Sequence, residues 1–358
     1  MFHGNIFIRY NKQDIANTGS RGDEKWDAPN MLMAMGQTKI GNRGLFHFNA
    51  MFSFDALIVG GYGYPVLFQT GESWKGEPLV DRQHPHDLFS ELSVSYSYAL
   101  SQKADVFVYL GYPGEPALGP VTFMHRISAM DNPDAPIGHH WTDATHITFG
   151  VATVGFRYGK FKLEGSSFTG REPDENRYNF DSPKFDSWSG RVSFNPNDNW
   201  SLQVSHGFIK SPEALRPGED VNRTTASATY VLMFGTERYF SSTVLWGLNK
   251  EKNHDGSNNA AFEASLRLKR FVGYVRNEWV QKSVEELNLD PGVYGSETIF
   301  PINSLTIGGG YDLFHIGKIR AMGGAQFSWY RPDLQLRSLY GNNPLAGEVY
   351  IRLYPGLM

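Results

Sequence analysis

The sequence predicts an all-β protein, a sixteen-stranded antiparallel transmembrane β-barrel with short periplasmic turns and long extracellular loops. Three observations predict it. Runs that alternate apolar and polar residues recur along the whole 358 residues, and a period of two marks a strand whose faces meet different surroundings. The connections between runs take turns, long then short, which a barrel with two unlike rims requires and a soluble sandwich has no reason to adopt. Aromatic residues reach 14 % and gather near run ends, where membrane interfaces hold them.

The predicted strands are 2–9, 30–38, 45–57, 87–100, 104–111, 146–158, 161–170, 187–194, 200–208, 223–232, 238–248, 259–268, 271–281, 302–313, 318–329 and 345–354. Odd-numbered strands are followed by long connections, among them 10–29, 58–86 and 112–145, and even-numbered ones by tight turns such as Gly41-Asn42-Arg43-Gly44 and Tyr158-Gly159-Lys160. The faces agree with lipid on one side and lumen on the other. Phe46, Phe48, Ala50 and Phe52 oppose His47, Asn49 and Met51, and Trp200, Leu202 and Val204 oppose Ser201, Gln203 and Ser205. Tyr96, Tyr98, Tyr112, Trp188, Trp200, Tyr239, Trp329 and Tyr354 are the expected interface aromatics. The whole of 1–358 is read as one barrel domain.

Composition narrows the functional classes. No stretch approaches the ~20 apolar residues of a membrane helix. The mean hydropathy of −0.39 decides nothing, because an alternating strand averages its two faces. There are no cysteines, which removes disulfides and thiolate metal sites. A net charge of −4 gives no reason to expect a nucleic-acid partner. The chain opens Met-Phe-His-Gly-Asn-Ile-Phe-Ile-Arg-Tyr, already alternating, so an exported form would have lost its signal peptide. Tyr354 is followed by Pro-Gly-Leu-Met, where barrels of this kind commonly finish on an aromatic.

A barrel of sixteen strands is wide enough for an aqueous channel unless something fills it. The inward parity carries Glu91, Asp105, Lys162, Glu164, Arg191, Glu263, Arg267, Arg320, Glu348 and Arg352. Such groups either set a field that selects permeants by charge or are paired and only keep the lumen wet. The third long loop, 112–145, is the richest in proline, with five between Tyr112 and Trp141, so neither helix nor central strand is expected there. Its position matches the loop that narrows sixteen-stranded general porins, and it is expected to fold into the lumen.

Six of the eleven histidines lie in 81–146: His84, His86, His125, His139, His140 and His146. Strand spacing of ~4.8 Å brings the two ends of this stretch to within roughly 10–15 Å. His84, His86, His139, His140 and His146 with Asp87 and Asp143 form a set suited to Zn(II), Cu(II) or Ni(II), Cu or Zn being the expected ion. The alternative is that the imidazoles hydrogen-bond to backbone and neighbouring Asp and only fix the loop. His3, His47 and Met51 share lumen parity and would suit Cu(I) with Met31, Met33 and Met35, although those three methionines are expected to face lipid. Ser90 lies near His86 and Asp87, but no Gly-x-Ser-x-Gly elbow occurs, and an enzyme is not expected.

The runs Asp81-Arg82-Gln83-His84-Pro85-His86-Asp87-Leu88, Gly111-Tyr112-Pro113-Gly114-Glu115-Pro116-Ala117-Leu118-Gly119-Pro120, His139-His140-Trp141-Thr142-Asp143-Ala144-Thr145-His146 and Phe185-Asp186-Ser187-Trp188-Ser189-Gly190-Arg191 resemble those of an uncharacterised family of Gram-negative outer-membrane β-barrel proteins. The resemblance implies a porin-like barrel in the bacterial outer membrane and a loose association with copper handling. It brings no binding residues with it. The expected function is an outer-membrane channel for small polar solutes or metal ions, gated or lined by loops 2 and 3. The alternative is a closed metal-binding or scaffold barrel acting through partner proteins. Expected partners are the lipid bilayer, the solute or ion, and another copy or an outer-membrane or periplasmic protein.

Overall fold

A computed structural model describes residues 1–252 and 255–355; the Gly356-Leu357-Met358 tail lies outside the described residues. Its strands are β1 (Phe2–Lys12), β2 (Glu24–Asp27), β3 (Asn30–Ile40), β4 (Gly44–Phe52), β5 (Tyr64–Trp74), β6 (Glu77–Gln83), β7 (Phe89–Ala99), β8 (Ala104–Gly111), β9 (Val151–Tyr158) and β10 (Phe161–Phe168). The second half adds β11 (Ser187–Phe194), β12 (Trp200–Ile209), β13 (Val221–Gly235), β14 (Arg238–Glu251), β15 (Ser257–Leu268), β16 (Phe271–Ser283), β17 (Ile299–Ile316), β18 (Ile319–Arg331) and β19 (Leu345–Pro355). Consecutive wall strands pair antiparallel, and β1 pairs with β19, Ile6 opposite Leu353, which closes the sheet and leaves no edge.

All sixteen expected strands are present. β2 continues the line of β3 along β1, with Arg9 opposite Asp27 and Ile6 opposite Asn30. Several boundaries shift at the long-loop rim, and three of them draw back where the chain turns inward. The strand expected at 45–57 ends at Phe52, the one at 87–100 starts at Phe89, and the one at 146–158 starts at Val151. In each case the chain leaves the wall to turn inward, so Asp87 and His146 stand on loops and not on strands.

Val154, Leu163, Val204, Val244, Ile307 and Val349 point out of the barrel, each more than half exposed. A continuous apolar belt of this kind would be an aggregation surface in water and is satisfied by lipid. The chain is therefore built as an outer-membrane barrel. Two expected interface aromatics turn inward instead: the Tyr239 hydroxyl donates to Asp131 at 3.0 Å and that of Tyr354 to Asp312 at 2.5 Å. Met31 and Met33 are buried against Met51, which corrects their expected lipid orientation. Apolar content alone could not assign this face, because thioethers are tolerated on both.

The lumen is divided. On the side of β14 to β19 it is filled by residues of the third long loop, 112–150, held by buried ion pairs. The Arg126 guanidinium donates to Glu263 at 2.6 and 3.1 Å. Asp131 accepts from Ser265 at 2.7 Å and Arg352 at 2.5 Å, and Asp134 from Arg9 at 2.6 Å and Gln326 at 2.7 Å. The second long loop folds as the β5–β6 hairpin and packs inside the mouth. Phe68, fully buried, stacks on Tyr340 with centroids 4.1 Å apart, beside Ile137, Trp141 and Phe300. Alternation missed this hairpin because Val66, Leu67 and Phe68 are buried one after another, which removes the period-two signal.

On the side of β3, β4 and β7 to β11 a cavity of about 370 Å³ remains. Nearer the short turns, Arg157 is exposed on the inward parity and pairs with Asp105 at 2.7 Å.

Candidate functional site

Loops 2, 3 and 4 meet at the long-loop end of this cavity and bring five imidazoles into contact. Ring centroids lie 6.0 Å apart for His84 and His86, 5.5 Å for His86 and His146, 5.1 Å for His146 and His139, 5.3 Å for His139 and His140, and 5.7 Å for His140 and His84. The contacts close a ring of five side chains, all buried. This is tighter than strand spacing alone predicts. The β5–β6 hairpin delivers His84 and His86, and a one-turn helix, His139–Thr142, with a 3₁₀ turn, Ala144–His146, delivers the others.

Each ring is oriented through one nitrogen. His86 Nδ1 donates to Asp55 at 2.8 Å, His139 Nδ1 to Asp143 at 2.7 Å and His146 Nδ1 to the Asp143 carbonyl at 2.9 Å. His140 Nδ1 faces Glu172 at 3.4 Å, and His84 Nε2 faces Glu72 at 3.1 Å. The Nε2 atoms of His86, His139, His140 and His146 are buried without a hydrogen-bond partner among the described residues. A neutral imidazole that donates through Nδ1 to a carboxylate or carbonyl leaves the Nε2 lone pair for a metal, and this is how metal-binding histidines are usually supported. Orphaned buried nitrogens are costly, so four together need an account.

The electrostatics favour neutral rings at three positions. Burial holds His84, His139 and His146 below the ordinary imidazole range, Asp143 only partly opposing it at His139. His140 differs: burial lowers its pKa, but the Glu172 carboxylate outweighs burial and raises it. Gly71 makes room for His140. At φ of 115° it lies where a Cβ would stand 2.3 Å from the imidazole Nε2.

Ligands of one ion at ordinary metal–nitrogen distances would have ring centroids about 5 Å apart. The pairs of His139 with His140 and with His146 meet this, and those involving His84, at 6.3 Å from His139, are wider. Among the described residues no group of three or more His, Asp or Glu donors is already arranged around one ion. The rings would therefore have to close inward around a bound cation.

Of the seven residues expected as ligands, the five histidines converge and the two aspartates have other partners. Asp143 orients His139 and accepts from Arg126 at 3.2 Å, while Asp87 pairs with Arg177 at 3.2 Å. Asp55, Glu72, Glu172 and Arg177 are the supporting residues that sequence reasoning missed in this role, for no spacing connects them to the histidines. Ser90 donates to the Asp87 carbonyl at 2.9 Å and, among the described residues, to no histidine.

The lumen charges fall into two groups. Glu91, Glu164 and Arg191 line the open cavity, and Lys162 pairs with Glu164 at 3.0 Å beside it. Glu263 and Arg352 bond loop 3, Glu348 pairs with Arg9 at 2.9 Å, and Arg267 and Arg320 pair with Asp312. These five face inward but meet protein where an open pore would offer water.

Two recesses flank the ring. His146 borders the lumen cavity. His140 borders a smaller external recess of about 80 Å³, lined by seven carboxylate side chains, Glu172, Glu213, Glu251 and Glu285 among them, against two arginines, Arg216 and Arg223.

No protein-family model matches the chain, and no curated protein matches its sequence. Solved structures do. OmpF of Salmonella typhi, in a complex with daunomycin, superposes with a TM-score of 0.57 at 10 % identity over 99 % of this chain and 97 % of that one. OprB of Pseudomonas putida gives 0.57 at 9 % over 99 % and 93 %. An anion-selective porin from Comamonas acidovorans gives 0.53 at 12 % over 100 % and 99 %. At such identities the likeness establishes a sixteen-stranded porin fold.

Proposed function

We propose that this barrel is an outer-membrane channel for small cationic solutes, transition-metal ions among them, with the five-histidine ring as the binding point on the path. The observation that carries this reading is connectivity. His140 borders the acidic external recess, His146 borders the lumen cavity, and His139 is in ring contact with both. A recess with an excess of carboxylates concentrates cations, and unpartnered imidazole nitrogens bind Zn(II) or Cu(II) in preference to alkali ions. The porin fold supports a conducting barrel by analogy of architecture.

The test is flux into proteoliposomes loaded with a Zn(II)-responsive dye. Zn(II) influx through the wild-type barrel should exceed that through a folded His139→Ala/His140→Ala variant by about tenfold or more. A wild-type barrel that admits no ion above protein-free vesicles overturns the channel. One observation favours a second reading, a closed metal-binding barrel: the apolar core formed by loops 2 and 3 with β16 to β19 blocks part of the mouth. Stoichiometric Zn(II) binding without flux is the result that supports it.

A further inference from the structure

Half of the chain's ten methionines meet in one patch of the barrel interior: Met31, Met33 and Met51 are buried together, with Met35 and Met124 packed on them. Strand register explains the patch. His3 of β1 stands opposite Met33 of β3, Met33 opposite Met51 of β4, and Met51 opposite Glu91 of β7, so the four lie in one row on the inward face. Loop 3 then lays Met124 and His125 over the row. His125 Nε2 lies 3.3 Å from Met51 Sδ, and its ring is 5.7 Å from that of His3.

We propose that this patch is a binding site for a soft monovalent cation, Cu(I), held by the thioethers of Met33 and Met51 and the imidazoles of His125 and His3, with Met124 closing the site from loop 3. Thioether sulfur selects Cu(I) over the hard and borderline ions that imidazole and carboxylate accept. Packing alone does not account for the composition. Methionine fills irregular gaps in apolar cores, and apolar residues are buried on the inward wall elsewhere, Phe168, Ile209, Val272 and Met322 among them, but packing gives no reason for two imidazoles to meet at the thioethers, His125 against Met51 and beside His3. The donors are also reachable, because Met33, Met51 and His125 line the same 370 Å³ cavity as His146. None of the four ligands belongs to the five-histidine ring, so the site stands whether or not the barrel conducts.

The experiment is an anaerobic titration of the detergent-solubilised full chain with Cu(I) in competition with bicinchoninate, followed by X-ray absorption of the loaded protein. One Cu(I) is expected at the patch, with sulfur and nitrogen scatterers. In Met33→Leu/Met51→Leu, which conserves side-chain volume, Cu(I) affinity should fall by about tenfold or more and the sulfur signal should weaken, while Zn(II) binding is unchanged. His125→Phe keeps every methionine and should lose affinity and nitrogen scatterers, which covers the case in which the leucine variant fails to fold. Unchanged Cu(I) affinity in either folded variant, or coordination by nitrogen and oxygen alone in the wild type, overturns the site. Loss of Zn(II) flux in the histidine-ring variant with Cu(I) binding intact separates this proposal from the channel reading.

Discussion

Asp81 shows how one buried carboxylate ties the second loop to the mouth of the barrel. Its Oδ1 accepts from the Phe68 N–H at 2.6 Å, and its Oδ2 accepts from the Tyr340 hydroxyl at 3.0 Å and lies 3.4 Å from the Arg21 guanidinium. Burial outweighs these partners and pushes its pKa from 3.8 up to about 6. The folded state therefore binds this proton more tightly than the unfolded chain does. Its contribution to stability is fully present below about 4 and is lost as pH rises through about 6, by roughly 1–3 kcal/mol. Thermal midpoints of the folded barrel should fall between pH 5 and 7.5. Burial also raises Asp87 to about 6 and Glu72 to about 7, so the informative quantity is the difference between wild type and Asp81→Asn. The variant should show a flatter profile, and two parallel profiles would remove Asp81 as a contributor.

At the scale of elements, loop 3 is held by charges that the wall presents to it. Arg126 donates to Glu263 of β15 and to Asp143, which itself orients His139. Removing one partner of such a buried set leaves an uncompensated charge, at a cost of roughly 3–5 kcal/mol. Arg126→Leu should therefore release loop 3 and disorder the histidine ring together. The absence of cysteine makes this directly measurable. Ser128, whose hydroxyl lies 2.7 Å from that of Thr243 on β14, can be changed to Cys as a reporter. A membrane-impermeant maleimide should label it slowly in the otherwise wild-type barrel and rapidly when Arg126→Leu is added. Equal labelling would mean that the remaining anchors, Asp131 and Asp134, hold the loop unaided.

For the molecule as a whole, the overall charge of −4 matters less than its placement. Carboxylates dominate the external recess, although Arg216 pairs with Glu213, Glu251 and Glu285 and offsets part of the field. In planar bilayers a conducting barrel should prefer K⁺ over Cl⁻ at 0.1 M salt and lose much of that preference at 1 M, where the Debye length falls from about 10 Å to about 3 Å. Glu251→Gln/Glu285→Gln should lower the reversal potential at 0.1 M. An anion preference, or none at low salt, would show that the lumen pairs set selectivity and the recess does not. The fold leaves this open, since one structural neighbour is an anion-selective porin and selectivity belongs to the lining.

The barrel was legible in the chain because its evidence is local. Alternation reports the two faces of each strand, and the unequal connections report the two rims, so sixteen strands and their direction follow from short windows read in order. The candidate site was legible in part. His84, His86, His139, His140 and His146 could be singled out as residue types in two clusters, but their carboxylate partners Asp55, Glu72 and Glu172 lie on other loops at unrelated spacings. Only the tertiary structure decided which inward charges meet water and which meet loop 3, as Glu91 and Glu263 do respectively. It also decided that Met31 and Met33 turn toward the lumen, and that five rings close on one another. These outcomes depend on register across strands and on how loops dock inside a closed wall. Both are set by non-local pairing, and alternation within one strand carries no information about what fills the space it faces.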